Sequence, residues 1–354
     1  MKRKFIVLSL AFAFLLNAVG STTFADVKTG KKTNTNNQLA ALLPVSDGVL
    51  TVDVQRLLSE AVPQILSGKP QAIADMNAKV EQIRQKTGLD LRQFEQVAIG
   101  VSMKQIAANE VDLEPVFLAR GKYNAGALVA LAKLASNGKY REEKIGDRTI
   151  YVFTMQQVAE QGVAAANKSQ TKNSWLDGAI QRMIKGLSKE VAVASYDGST
   201  LAFGSLARVR ETFEGKQRVS GEILSLANRR PNAVMSFGAK LPNGLSNFIK
   251  LDNDELGATL DSIRQASGSL ELIGGNTAVS FAAKTVNAEQ AQNLHETLEG
   301  LQMLGKTFLG GSKSADKQVY VRMIENAKIT RNQTEVALDL QVPQNDINIL
   351  LGAK

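Results

Sequence analysis

The chain carries one histidine, His295, and no cysteine, and these two counts bound its chemistry more tightly than any motif does. Without thiols there is no thiol nucleophile and no thiolate metal site. One histidine cannot build a His-rich zinc site. His295 stands in Leu294-His295-Glu296, and Leu294, Leu298 and Leu301 form the stripe a helix would bury, which leaves His295 on the solvated flank. A serine hydrolase of the nucleophile-elbow type would need Gly-x-Ser-x-Gly between a strand and a helix, and no such run occurs there.

The remaining candidates are weaker. Asp252-Asn253-Asp254-Glu255-Leu256-Gly257 opens like a calcium loop, but the fifth position is Leu256 and the twelfth is Ile263, where a bidentate glutamate is required. Asp252 or Asn253 fits better as a helix cap, with the following acids at the positive helix end. Gly274-Gly275 reads as a turn rather than a phosphate loop. Glu142-Glu143 and Asp112 with Glu114 are carboxylates near strands, and Trp175 and Tyr196 are aromatics that could line a sugar or peptide site. Exposed strand faces carry such carboxylate pairs routinely, and each aromatic is more often core or hairpin packing. No catalytic, cofactor-binding or metal residue is assigned.

The ends place the chain. Met1-Lys2-Arg3-Lys4 precedes an apolar run from Phe5 to Leu16, too short to span a bilayer, and Thr23-Phe24-Ala25 supplies small residues before Asp26. Residues 1–25 therefore read as a cleaved signal peptide, and the protein as exported to the periplasm or the medium. Lys plus Arg number 42 against 34 Asp plus Glu; without Lys2, Arg3 and Lys4 the balance is 39 against 34, or +5. That charge is scattered, apart from Lys31-Lys32 in the polar leader and Arg229-Arg230 at a helix end, so nucleic acid is not an expected partner. No second long apolar run follows, and no membrane span is expected after cleavage.

Residues 26–41 are polar enough to read as a disordered leader. Roughly 330 residues remain after cleavage, more than one core usually holds, so two lobes are expected. Val49–Val54 is a strand, followed by helices over 55–66 and 70–87, strands over 96–103 and 115–121, and a helix over 125–135 capped by Asn124. A hairpin turns at Gly146-Asp147-Arg148, a low-complexity stretch covers 156–173, and a helix spans 175–189. Asp197-Gly198 between two strand-like runs predicts a tight turn with positive φ, and Ser205 caps a helix ended by Gly215. In the second half a strand over 232–237 leads to helices over 245–251 and 254–266, strands over 269–273 and 277–283, a helix from 287 to 309, strands over 327–331 and 334–342, and a final helix over 346–351.

The same order of elements, β, α, α, β, β, α, α, β, β, α, occurs twice. Ala119-Arg120-Gly121-Lys122-Tyr123-Asn124-Ala125 is echoed by Ala282-Ala283-Lys284-Thr285-Val286-Asn287-Ala288, and Arg182-Met183-Ile184 by Arg322-Met323-Ile324. The expected fold class is α+β, with two similar lobes, 42–230 and 231–354. Each would be a mainly antiparallel sheet with helices on one face, the first carrying the insertion 140–173. Leu43-Pro44 before Val49–Val54, the Gly146-Asp147-Arg148-Thr149-Ile150-Tyr151 hairpin, and Leu201-Ala202-Phe203-Gly204-Ser205 running into Ala207-Arg208-Val209 resemble a group of exported bacterial proteins of unknown function. The resemblance implies export and an α+β fold and lends no functional residue. The expectation is a non-enzymatic envelope protein binding a protein or small ligand through the groove between its lobes or the insertion, without a cofactor. A carrier of apolar ligands and a hydrolase with a Ser-Lys or paired-carboxylate site are the alternatives.

Overall fold

The computed structural model describes residues 36–107, 110–154, 190–244, 246, 254–311 and 314–352. The expected signal peptide at 1–25, the low-complexity stretch, Trp175, Arg182 to Ile184, the helix expected over 245–251 apart from Ser246, and Asp252-Asn253 lie outside the described residues. The fold is α+β, built on one large antiparallel sheet. Its strands are β1 (Gly48–Asp53), β2 (Phe94–Ala107), β3 (Glu110–Gly121), β4 (Tyr140–Ile145), β5 (Arg148–Thr154), β6 (Glu190–Asp197), β7 (Thr200–Gly204), β8 (Met235–Lys240), β9 (Ile263–Ile273), β10 (Asn276–Thr285), β11 (Lys328–Asn332) and β12 (Glu335–Pro343). They lie in the order β11-β12-β10-β9-β8-β1-β2-β3-β7-β6-β5-β4.

The described helices are α1 (Asn36–Ala40), α2 (54–65), α3 (Pro70–Thr87), α4 (Ala125–Ala135), α5 (Leu206–Glu214), α6 (Gly221–Ala227), α7 (Asp254–Asp261), α8 (Ala288–Gly310), α9 (Ala315–Asn326) and α10 (Gln344–Leu350). Helix α2 contains a π-helical turn, Leu57–Ala61, just before Pro63. A proline inside a helix lacks its N–H and crowds the carbonyl four residues earlier, and a widened turn relieves both problems. The caps follow the sequence reading closely: the amides of Ala127, Arg208 and Gln290 donate to the side chains of Asn124, Ser205 and Asn287 at 3.0, 3.4 and 2.9 Å.

The strands of 42–230 and those of 231–354 share a single sheet, joined where β1 pairs with β8. Reading outward from that junction, the order is β1-β2-β3-β7-β6 on one side and β8-β9-β10-β12-β11 on the other, with the β4–β5 hairpin added at the edge of the first. Alternate strand residues face opposite sides. On one face Val49, Ala98, Leu118, Ala194, Ala202 and Ile150 pack with Leu39, Leu43, Val209 and Ile223 from α1, the lead-in to β1, α5 and α6. On the other, Val62 and Ile65 of α2 form a core with Val319 and Met323 of α9, Val342 of β12 and Ile347 of α10. That second core draws on both halves of the sequence.

Four local expectations change. Order begins earlier than Leu42, because α1 buries Leu39 and Ala40. The helix expected over 254–266 ends at Asp261; Ile263 to Ala266 extend β9 along β10, with a register shift between Lys284 and Thr285, and strand pairing wins over helical spacing. Helix α6, of which the sequence marks only the end at Arg229-Arg230, is capped by Ser220, whose hydroxyl accepts from the Ile223 amide. The β6–β7 turn is Gly198-Ser199, since Asp197 pairs with Thr200, and Gly198 does not have positive φ. Asp197 Oδ1 accepts from the Ser199 amide at 2.9 Å, so the aspartate side chain closes the turn. Gly274 and Gly275, by contrast, adopt φ of 56° and 82°, the geometry of a two-residue hairpin turn.

Candidate functional site

Few of the candidates read from the sequence come together. His295 lies on the flank of α8 with a side chain 19% exposed, and Nδ1 is 3.4 Å from Glu299 one turn on. Glu142 and Glu143 point to opposite faces of β4: Glu142 meets Lys133, and Glu143 meets Arg141 and Arg210. Glu114 pairs with Lys104 at 2.7 Å. Tyr196 stacks on Phe213 with ring centroids 5.5 Å apart, and the Arg148 guanidinium lies 4.9 Å over it, so it serves packing. Among the described residues no three His, Asp or Glu side chains gather as a metal site would require, and no helix is long and apolar enough to cross a membrane.

The pairing registers build a different site. Thr51 of β1 stands opposite Ser236 of β8, Ser236 opposite Ser269 of β9, Ser269 opposite Ser280 of β10, and Ser280 opposite Asp339 of β12. Because side chains in register share a face, these four hydroxyls and one carboxylate form a row across five strands. Thr51 Oγ1 and Ser236 Oγ are 2.8 Å apart, and Ser280 Oγ donates to Asp339 Oδ1. Ser269 Oγ, in the middle, is shut off from solvent and makes no hydrogen bond.

Helix α6 covers this face over β8 and β9, and the chain leaving it supplies Arg229 and Arg230. Arg229 donates to Ser267 Oγ at 3.3 Å and to Glu335 at 2.6 Å; Arg230 donates to Asp339 at 2.9 Å and stands 4.0 Å from Glu271. Two adjacent arginines thus diverge onto two carboxylates four residues apart on one face of β12. Between α6, the arginines and the hydroxyl row lies a groove of about 260 Å³, floored by serines and by Ala282 and Ala337. Gly238 sets the height of α6 above it. A Cβ there would stand 2.5 Å from the Ala227 nitrogen and 2.6 Å from Leu226 Cβ.

Helix α6 is held at its other end by Glu222, in its first turn, which Lys240 and Gln265 both contact. The hydrogen bond from Lys240, joined by that from Gln265, outweighs partial burial and holds the Glu222 carboxyl below the usual range. In the sequence Arg229-Arg230 stands out as a local concentration of charge at a helix end, without a link to a site. A usable signal is present in the hydroxyls at alternate positions of β9, Ser267 and Ser269; their partners on β8 and β10 are distant in sequence.

No family model and no curated protein matches the chain. Among solved structures, crystal form III of TP0453, a Treponema protein, aligns with a TM-score of 0.43 at 10% identity, covering 89% of this chain and 98% of that one. Crystal form IV of the same protein aligns with a TM-score of 0.41 at 10% identity, covering 88% and 95%.

Proposed function

We propose that the chain is an exported, non-enzymatic envelope protein that holds a small polar ligand in the groove beside Arg229 and Arg230. The observation that carries this reading is the groove itself: a concave site whose hydroxyls are held in register by the sheet and whose arginines are fixed in place by Glu335 and Asp339. Rigid polar groups converging on a cavity are what small-molecule sites share. Its volume lies below the roughly 300–1,000 Å³ of sites for drug-sized ligands, which points to a small occupant. The basic and apolar run at residues 1–25 supports export. The polar floor disfavours an apolar cargo, and the groove lining has no lysine or histidine to activate Ser280 as a nucleophile.

We also read the two halves as copies of one unit, 42–230 and 231–354. The common strand order supports this, as do Asn124-Ala125 and Asn287-Ala288, each starting the helix that follows the third strand of its half. On that reading the groove lies on the second copy and is completed by Arg229 and Arg230 at the end of the first.

The test is native purification followed by mass spectrometry of small molecules released on denaturation, for the natural chain and for Ala282→Phe, which fills the groove. A polar compound present in the first and absent from the second, with both proteins equally folded, is the expected result. Co-purifying lipid retained by both would favour an apolar carrier. Labelling of Ser280 by an activity-based serine probe would replace the binding reading with a hydrolytic one.

A further inference from the structure

Resting on the reading of the groove as a binding site, we infer that its ligand is a neutral, hydroxyl-rich molecule of the saccharide class and not an anion. The argument begins with charge. Two guanidiniums and two carboxylates line the groove, so its lining is formally neutral, and Glu271 beside Arg230 adds a further carboxylate. Each guanidinium is already engaged by an acid. An anion would have to share each guanidinium with the acid already on it and stand beside a carboxylate of like charge. A neutral ligand meets no such penalty.

Hydrogen-bond capacity points the same way. The groove interleaves groups that only donate, the arginines, groups that only accept, the carboxylates, and serine hydroxyls that do both. A ligand made of hydroxyls satisfies all three, because each O–H both donates and accepts. Ser269 sharpens the point: its hydroxyl is shut away from water without a partner, which is unfavourable, and a turn of this groove-lining side chain toward a ligand hydroxyl would satisfy it. Ala282, Ala337 and Leu226 supply small apolar patches among these polar groups. The C–H face of a sugar ring needs such a surface, and a purely ionic ligand does not.

The experiment uses the full mature chain on a glycan array and in titration calorimetry, with neutral mono- and disaccharides as one arm, and inorganic phosphate and citrate as the other. The expected result is saturable binding of a neutral saccharide with the same affinity at low and high salt. It should weaken about tenfold or more in Ser269→Ala/Ser280→Ala, as loss of two hydrogen bonds predicts. Ser225→Ala, on α6 outside the groove lining, should leave it unchanged. If only phosphate or citrate binds, with salt-sensitive affinity lost in Arg230→Gln, the saccharide assignment is overturned while the groove stands as a site. If a saccharide binds and neither the serine variants nor Ala282→Phe weaken it, the groove reading falls as well. Absence of binding in every arm overturns the saccharide assignment, and the co-purification test then judges the groove independently.

Discussion

Arg208 of α5 donates through Nη2 to Ser46 Oγ at 3.0 Å and to the Val45 carbonyl at 2.6 Å, although the two segments are more than 160 residues apart. Its side chain is only 4% exposed; Nη1 meets Glu211 at the protein surface, and Nε is buried without a hydrogen-bond partner. Ser46 in turn donates to the Pro44 carbonyl at 2.9 Å. The lead-in to β1 is therefore tied to α5 by a buried cation whose hydrogen bonds go mostly to neutral oxygens. Removing it would strand those oxygens as well as the packing around them.

Arg208→Met is accordingly expected to lower stability by about 2–3 kcal/mol, since it removes a buried cation and leaves a part-buried carbonyl and a buried hydroxyl without that donor. Ser46→Ala, which removes one neutral partner, should cost about 1 kcal/mol. Urea denaturation monitored by circular dichroism measures both. Equal midpoints for Arg208→Met and the natural chain would show that the tie contributes nothing.

Gly238→Ala tests the seating of α6. The added methyl group would meet backbone and Cβ atoms of Ala227 and Leu226, which cannot rotate away. Overpacking of this kind costs about 1–3 kcal/mol. Ligand binding in the groove should weaken with it, because Arg229 and Arg230 follow α6 directly. A variant with unaltered melting temperature and binding would mean the helix has slack to move.

The β6–β7 turn gives opposite expectations for neighbouring residues. A Cβ at Gly198 would lie in open space, and the backbone there is not left-handed, so Gly198→Ala should change stability by less than about 0.5 kcal/mol. Asp197→Ala removes the acceptor that closes the turn and should cost about 1 kcal/mol. Thermal melts of the two variants distinguish them, and a larger loss at Gly198 than at Asp197 would refute the assignment.

Glu222 supplies a pH signature. Its carboxyl is held below its ordinary value of about 4.3 by Lys240 and Gln265. A depressed carboxylate contributes stability that is fully present above its unfolded pKa and is lost as pH falls through the folded one. The stability gap between the natural chain and Glu222→Gln should thus be constant near neutrality and close in acid below about pH 4. Denaturation midpoints measured along a pH series would show this; a gap that persists unchanged into strong acid would assign the effect to packing.

His295→Gln should shift stability by no more than about 0.5 kcal/mol, the scale of an i, i+4 contact with an exposed partner. Urea denaturation checks it. A loss of several times that size would show the half-buried ring to be part of the α8 packing.

Local chemistry in the sequence determined the caps at Asn124, Ser205 and Asn287, the span of α3, the Gly274-Gly275 turn and the period-two strands, because each depends on neighbours within a few residues. The residues able to do chemistry were also bounded there, by one histidine and no cysteine. Which strands lie side by side was decided only in three dimensions. Pairing β1 with β8 merges two sets of strands into one sheet, and no sequence periodicity records that register. The groove depends on the same step. Ser236, Ser269, Ser280 and Asp339 are unremarkable where they stand along the chain, and they form a row only because strand pairing places each opposite the next, with Arg229 and Arg230 brought over them by a helix whose height is set by the absence of a side chain at Gly238.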